Sequence, residues 1–536
     1  MPKSLYLINP REDLPTYFGS DISGVLGLPS FAEVGDLSTT TVAALAPDDF
    51  EIRICDEAVA PVDFDCGAEI VGITGKVSQS GRMMAIADEF RRRGTTVLMG
   101  GSFTSLSPEV VAPHADVLVC GEIEEIADDL FSDLRSGCFK DRYTGTRPPL
   151  DSSPVPRWDL YPNHAAISGC VQTSRGCPFE CEFCDVIQFV GRVQRHKPIA
   201  TVLQELEVLH RAGYRAVFIA DDNFTVYRRR TKQLLRAMRD WNRRQKGQMA
   251  FSTQLSIDAA EDEELIRLLG EAGFSTIFIG IETPNEDSLR ETKKRQNVGI
   301  DIVERIRRFY DAGIIVNGGM IVGFDNDGGD IFRRQYEFLM EAAIPFATLA
   351  VLVAPATTPL YDRLEKEGRL VVDAELAGNP LSTNIVPLKM TREELTHGTR
   401  WLASKLYSPQ AFAERIVRFI DQLGPQRSRP LTLGHIVHHA GRRVDRTVVR
   451  VAMSVGRMGR EEAKMVARIV GAVARKPAAA RFVVGALFRY RQIRYLYDAG
   501  KIWDPQLAQA YDPGISTPVA SPTQPAALSY GLSGSS

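Results

Sequence analysis

The 536-residue sequence predicts an α/β fold in three parts: a doubly wound, Rossmann-like parallel sheet, a partial (β/α)6 barrel, and a helical C-terminal region. Three observations predict it. Short β-branched runs alternate with helix-periodic stretches over residues 1–146. The dipeptides Ala212-Gly213, Ala272-Gly273 and Ala312-Gly313 each end an amphipathic stretch just before an apolar run, as helix-capping glycines do ahead of strands. Beyond Pro359 the strand-like runs stop and helix-periodic segments continue alone.

Composition sets the class. Apolar residues make up 44% and charged residues 24%, values of a globular chain long enough for several cores. No apolar run reaches the roughly 18 residues of a membrane span. Met1-Pro2-Lys3-Ser4 leads straight into Leu5-Tyr6-Leu7-Ile8, too short for a signal-peptide core, so none is expected. Eight cysteines in so long a chain, three of them clustered, suit a reducing compartment rather than a disulfide framework. Cys55, Cys66, Cys120, Cys138 and Cys170 read as small hydrophobes. The expected location is the cytoplasm.

In the first part, strands are expected at 4–8, 51–54, 69–73, 95–99 and 116–120, with a helix over 81–93 closed by Gly94. Ligands of such sheets lie outside the carboxyl ends of the strands. Small residues gather there: Gly72, Thr74 and Gly75, then Gly100, Gly101 and Ser102, then Gly121 with Glu122. Lacking side chains, these glycines let backbone approach a bulky ligand. No GxGxxG follows the first strand, which argues against a dinucleotide. Residues 147–164 hold Pro148, Pro149, Pro154, Pro156 and Pro162 and read as a linker. The barrel is expected over 165–370, with strands at 170–174, 216–221, 249–254, 276–281, 315–323 and 347–354, and its site at their carboxyl ends.

At the first of those ends stands Cys177-Pro178-Phe179-Glu180-Cys181-Glu182-Phe183-Cys184. Three cysteines at CxxxCxxC spacing can wrap one metal centre. A closed zinc site needs four ligands, and no nearby His or Cys completes one. Three thiolates on an iron–sulfur cubane leave one iron free. With Phe183 before the last cysteine, the motif resembles the signature of radical S-adenosylmethionine (SAM) enzymes. The resemblance implies a 4Fe–4S cluster on Cys177, Cys181 and Cys184, SAM chelated at the open iron, and its cleavage to a 5′-deoxyadenosyl radical. It also distributes the SAM contacts. Asp222, in Ala220-Asp221-Asp222, stands where the family often has Gly-Gly-Glu against the SAM amino group. Glu282 would meet the ribose, Gly323 ends the GxIxG run where adenine packs, and Ser252 and Gln254 end the third strand. The family's trailing acid would fall at Asn326, a departure from the pattern.

The order of parts resembles the cobalamin-dependent (class B) radical SAM methylases, in which a cobalamin-binding domain precedes the barrel. That resemblance implies cobalamin at Thr74, Gly75, Gly100, Gly101, Ser102, Gly121 and Glu122. The DxHxxG histidine of many cobalamin domains is absent, and His114 lies in no such pattern, so the lower face of cobalt is expected without histidine. Lys76 and Val77 lie near the loop concerned, and the sequence does not choose between them.

The part from 371 to 512 reads as helices. Thr391-Arg392-Glu393-Glu394 is a capping box, and 409–423 and 447–470 are amphipathic. From Arg427 to Arg494 there are 16 Lys/Arg and 3 Asp/Glu, so this segment carries +13 and the remainder −16 of a net −3. Three readings compete: a solvated basic face, a face resting on anionic lipid or binding a lipidic substrate, and nucleic-acid binding. No nucleic-acid motif accompanies the charge, so nucleic acid is not expected. Residues 513–536, rich in Pro, Ser, Ala and Gly, read as a disordered tail. The helical part looks like that of the hopanoid C-2 methylase branch.

The implied activity is methylation of an unactivated carbon of a lipid or other small-molecule natural product, with electrons from a low-potential donor such as ferredoxin or flavodoxin. The alternatives are a cobalamin-dependent rearrangement or cyclisation enzyme and a non-catalytic cobalamin or iron–sulfur sensor. A methylthiotransferase is not expected, since the first part lacks its own three-cysteine set.

Overall fold

A computed structural model describes residues 3–19, 21–371, 381–424 and 451–510. The expected tail at 513–536 and the part of the basic stretch before residue 451 lie outside the described residues.

The first sheet uses β1 (Lys3–Asn9), β3 (Phe50–Asp56), β4 (Ile70–Thr74), β5 (Thr96–Gly100), β6 (Val117–Cys120) and β7 (Arg142–Thr144), in the order β3-β1-β4-β5-β6-β7. Every pairing is parallel. Its strands are buried on both faces, which is why they read as near-continuous apolar runs. Leu5 and Leu7 face one core with Leu130, Phe131 and Leu134 of helix Ala127–Ser136. Tyr6 and Ile8 face the other with Met83, Ile86 and Phe90 of helix Ser80–Arg92. The five expected strands all form, within a residue or two at each end. Strand β7 was not anticipated, because Arg-Tyr-Thr is too short and polar to carry a pattern.

The second sheet is the barrel, in the order β15-β14-β13-β12-β11-β8-β2. Its strands are β8 (Ala166–Val171), β11 (Ala216–Ile219), β12 (Ala250–Gln254), β13 (Phe274–Glu282), β14 (Ile315–Val322) and β15 (Ala347–Val351), plus β2 (Ala32–Val34). Two expectations need correction. The first barrel strand ends at Val171 rather than running on to residue 174, because the chain turns out to start the cysteine loop. The sheet also has a seventh strand, β2, which pairs Ala32 with Ala166 and Val34 with Ser168. Six strands leave an open edge at β8, and a segment from the first part covers it. Gly213, Gly273 and Gly313 all adopt positive φ, as capping glycines before the strands should.

The proline-rich stretch is packed rather than free. Trp158 is fully buried, with Gly35 against its ring, and Tyr161 is buried beside it. The Tyr161 hydroxyl donates to Asp56 at the end of β3 (2.6 Å), joining the stretch to the first sheet.

The helical part packs on the barrel. Helix Arg392–Leu406 starts with the expected capping box of Thr391 and Glu394. Helix Arg460–Arg475 buries Met465, Ile469 and Ala472 and leaves Arg460, Lys464, Arg468 and Arg475 exposed. Its apolar stripe is therefore used inside the protein, and this helix presents a basic face outward. Further along, Arg489 pairs with Glu33, and Arg494 with Glu462 (3.1 Å), so part of the basic stretch points inward. No described helix is long and apolar enough to cross a membrane.

Burial pushes the Asp56 carboxyl up to about 6, with the charge of Asp36 adding to it and the Tyr161 bond opposing it. A carboxyl raised above its unfolded value near 3.8 favours the fold while protonated, and that contribution is lost as pH rises through about 6. Asp56→Asn should therefore flatten the pH dependence of urea-unfolding stability by roughly 1–1.5 kcal/mol between about pH 5 and pH 8. An unchanged slope in the variant would show that Asp56 is not the group responsible.

Candidate active site

The start of the cysteine loop is held by two acids just past the neighbouring strand β11. Leaving β8, the chain forms β9 (Ser174–Arg175), which pairs antiparallel with β10 (Arg195–His196). The Asp221 carboxylate, buried just beyond β11, accepts from the Thr173 amide (2.6 Å) and hydroxyl (2.6 Å) and from the Ser174 amide (3.1 Å) and hydroxyl (2.6 Å). Asp222 accepts from the Gly176 amide (2.8 Å). Gly176 has φ +105°, and a Cβ there would lie on the Val193 carbonyl, so glycine is required before Cys177. The Cys177 amide donates to the Gly191 carbonyl (3.1 Å) and the Cys184 amide to the Cys181 carbonyl (3.1 Å). Between them, Glu182 takes a two-pronged bond from Arg363 (3.0 and 3.2 Å), which also binds Asp325 (2.7 Å) and Glu291. Phe183 packs on Phe324, with ring centres 6.0 Å apart, beside Leu352 and Leu360.

All three thiols are free. Burial raises Cys177 and pushes Cys184 up to about 12, and the charge of Cys181 adds to both, so the three sulfurs share one electrostatic neighbourhood. Among the described residues, no group of three His, Cys, Asp or Glu closes on a single metal ion. The donor set, three thiols with no fourth ligand among the described residues, fits a cubane with one open corner. Lys294 is buried against the same sulfurs. Despite burial, Glu282 and Cys181 hold it above its usual value, and its ammonium donates to Glu282 (2.7 Å).

The structure sorts the sequence-derived SAM residues. Asp222 lies beside the loop, and burial together with the charge of Asp221 pushes it up to about 6. Glu282, at φ +67°, ends β13 with its carboxylate on Lys294. Ser252 and Gln254 occupy the inner face of β12, and neither side chain has a hydrogen-bond partner among the described residues. Gly323 follows β14 at φ +101°, and its amide donates to Asp327 (3.0 Å). Asp327 also accepts from the Phe324 amide (3.1 Å) and Ser288 (2.8 Å), so the acid looked for at residue 326 stands one residue on; Asn326 itself donates to Glu291 (2.7 Å). Sequence reasoning missed Asp327, Lys294 and Arg363. The first could have been found by allowing a one-residue shift; the other two carry no motif.

The carboxyl ends of the first sheet border a crevice of about 350 Å3 whose other wall is formed by residues flanking the cysteine loop. Thr74, Gly100, Gly101, Gly121 and Glu122 line it together with Gln172, Arg175, Phe189 and Lys197 from the barrel side. Gly75 and Ser102 do not line it; Gly75 instead supports Gly101 from behind. Gly101 (φ +91°) and Gly121 (φ +76°) cradle it: a Cβ on Gly101 would come 2.7 Å from the Thr74 hydroxyl, and one on Gly121 would meet the Gly145 carbonyl. Glu122 has a second task that the sequence did not show. It binds Arg175 (2.7 Å) and Arg195 (2.5 Å), while Arg175 also binds Glu124 (2.7 Å), so an almost buried charge cluster ties the first sheet to the cysteine loop.

Residues 171–339 match the profile of the radical SAM superfamily, and 358–495 match a domain of unknown function, DUF4070. The partial barrel with its three-cysteine loop is thus that of a radical SAM protein. Among curated proteins the chain is 35% identical over 400 residues to an uncharacterized methyltransferase of Synechocystis, covering 72% of this chain and 73% of that one. It is 30% identical over 382 residues to the hopanoid C-2 methylase of Rhodopseudomonas palustris, covering 70% and 71%. Among solved structures the fold resembles the cobalamin-dependent SAM radical enzyme OxsB (TM-score 0.60, 14% identity, 93% of this chain and 80% of that one). It also resembles the radical SAM methyltransferase TsrM of Kitasatospora setae (TM-score 0.53, 16% identity, 73% and 82%). The chain belongs to the radical SAM superfamily, alongside relatives named as a methyltransferase and a methylase.

The Glu282–Lys294 pair permits a direct test. Lys294→Met leaves a buried carboxylate unpaired and should cost roughly 3–5 kcal/mol in denaturant unfolding. The double variant Glu282→Gln/Lys294→Met should recover most of that loss. Equal destabilisation in both would show that the pair is not coupled.

Proposed function

We propose that this protein transfers a methyl group to an unactivated carbon of an apolar lipid or related natural product, using SAM, a 4Fe–4S cluster and cobalamin. The observation that supports the reading is that the glycine-cradled crevice of the first sheet is walled on its other side by Arg175 and Phe189, which flank the three-cysteine loop, and that Glu122, Glu124, Arg175 and Arg195 bolt the two parts together. When bound, the cluster supplies the electron that cleaves SAM and the corrinoid supplies the methyl group.

The chain's own residues do the positioning. Cys177, Cys181 and Cys184 present three thiols and keep the site open at a fourth corner. Asp221 and Asp222 fix the start of the loop, and Arg363 fixes its middle through Glu182. Lys294, paired with Glu282 beside the sulfurs, fixes that carboxylate at the end of β13. Asp222 and the inner-face Ser252 and Gln254 offer acceptors and donors to the amino and adenosyl parts of SAM. Thr74, Gly100, Gly101 and Gly121 provide the bare backbone against which a planar macrocycle lies. The relatives named methyltransferases support methyl transfer over rearrangement. Reduction calls for a low-potential donor of the ferredoxin or flavodoxin type. The exposed arginines of helix Arg460–Arg475 leave peripheral contact with anionic lipid as a role for that face.

Purified without oxygen and given SAM and a strong reductant, the protein should release 5′-deoxyadenosine, and its product should gain one methylene unit in mass. Changing Cys177, Cys181 or Cys184 to Ala should abolish 5′-deoxyadenosine release and lower bound iron. Turnover retained in any of the three variants would refute the assignment.

A further inference from the structure

The barrel has a second opening, at the end away from the cysteine loop. A cavity of about 1150 Å3 lies there, at the upper limit of the roughly 300–1,000 Å3 usual for small-molecule sites. It reaches the start of β12 at Ala250, of β13 at Thr276 and of β14 at Asn317. Its outer wall is the segment around Leu28 and Phe31 together with helix Ala480–Ala499, through Val484 and Phe488. Among the described residues, no Asp, Glu or Lys lines it, and His164 and Arg489 are the titratable side chains that do. The charge of Arg489 is taken by Glu33, and its guanidinium lies over the rings of Phe18 (5.3 Å) and Phe346 (5.5 Å).

Above the cavity, one face of the strands keeps accessible surface toward the cysteine-loop end. Residues two apart in a strand share a face. Ala250 therefore shares its face with Ser252 and Gln254, and Thr276 with Phe278 and Gly280. All six keep some accessible surface, whereas the alternate Phe251, Thr253, Ile277 and Ile279 are buried under the helices. At the far end of this face, a Cβ on Gly280 would come 3.1 Å from the Lys294 ammonium, which lies beside Cys181 and Cys184. Midway, Phe278 stands across Gly319, where a Cβ would come 2.9 Å from the ring, so the lumen narrows at an aromatic that a missing side chain accommodates. Asn317 and Thr276 face the cavity without a side-chain partner among the described residues, enough for one hydroxyl or carbonyl and too little to desolvate a charge.

We propose that the cavity at the N-terminal ends of the barrel strands, with the lumen above it, holds the hydrocarbon body of an elongated uncharged lipid while its acceptor carbon lies at the cysteine-loop end. This rests on the methylase reading and adds to it the side from which the substrate enters and the substrate's class. The walls are apolar, the volume suits a long or polycyclic body, and the inner face runs from one mouth to the other.

Gly485 gives a clean test. It lines the cavity on helix Ala480–Ala499, and a Cβ there meets nothing within 4 Å, so Gly485→Phe fills the space without displacing a neighbour. Gly471→Phe, on helix Arg460–Arg475 and equally unobstructed, is the control. The probes are 1-octanol, 1-dodecanol and 1-hexadecanol, radiolabelled and delivered from cyclodextrin to the full chain. Wild type should bind them with affinity rising by up to about fourfold per added methylene. Gly485→Phe should weaken 1-hexadecanol binding at least tenfold, and Gly471→Phe should not. Equal binding by wild type and Gly485→Phe, or no dependence on chain length, overturns the proposal. A diazirine-bearing hexadecanol on the unaltered chain should label peptides containing residues 28–31 or 482–489, and labelling confined elsewhere also overturns it. 5′-Deoxyadenosine release by wild type separates the two readings: its absence sinks the methylase assignment, whereas the binding arms judge the cavity alone.

Discussion

The arrangement depends on one buried carboxylate. Asp221, 1% exposed, sits just past the end of β11 and accepts four bonds from two consecutive residues of the chain leaving β8. A buried carboxylate is costly unless its lone pairs are filled, and here amides and hydroxyls fill them. The same bonds take Thr173 and Ser174 out of the β8 ladder. They turn the chain inward at the point where Gly176 permits a positive φ, and so deliver Cys177 to the barrel mouth. Burial raises this carboxyl, and the Thr173 and Ser174 bonds oppose the rise. The strand end thus does more than carry a side chain: it dictates where the cysteine loop starts.

From that point polar interactions radiate to both sheets. Arg175, next to the Asp221-bound pair, reaches Glu122 and Glu124 beyond β6, and burial notwithstanding, Arg175 holds Glu124 below the usual carboxylate range. On the other side Arg363 gathers Glu182, Asp325 and Glu291. Almost buried charge clusters contribute less to net stability than apolar packing of the same volume, but they fix geometry, since a displaced partner leaves an unpaired ion. A reaction that needs two cofactors and a substrate carbon in fixed register gains from that kind of constraint. The network therefore makes sense as alignment, while the apolar cores under both sheets supply the stability.

How much of this could be read beforehand follows from how local each signal is. The parallel strands were legible because burial on both faces makes each one an uninterrupted apolar run, and Gly213, Gly273 and Gly313 were legible because a capping φ restricts the residue type. The three cysteines were legible as a spacing. Strand β2 was not, since Ala32–Val34 is a strand only because β8 offers an unpaired edge far along the sequence. Nor was Lys294, which matters through Glu282 and the sulfurs rather than through any neighbour in sequence. The Ala-Asp-Asp run shows the limit well. Two adjacent acids at a strand end read as one ligand-binding position, yet alternate residues of an extended chain face opposite ways. Asp221 points into the loop's backbone and Asp222 toward Gly176 and the site, so one of the pair is architecture.

The helical region now has a physical reason to exist. An ordinary barrel fills its N-terminal end with layered side chains. Here that end carries Ala250, Thr276 and Asn317 rather than large residues, and it cannot close itself. Closure comes from outside, by helix Ala480–Ala499 pressed on through Arg489 to Glu33 and through Tyr497, whose hydroxyl lies 3.0 Å from that of Tyr17. Tyr17 in turn donates to the Leu349 carbonyl of β15 at 2.9 Å. The cover is therefore tied both to the N-terminal segment and to the barrel's last strand. Such a cover leaves a wide apolar space beneath it where a self-filled barrel would leave none. A fold that forgoes that much core packing retains the loss only where the space has a use, and the apolar side chains that dominate its described lining suit a hydrocarbon.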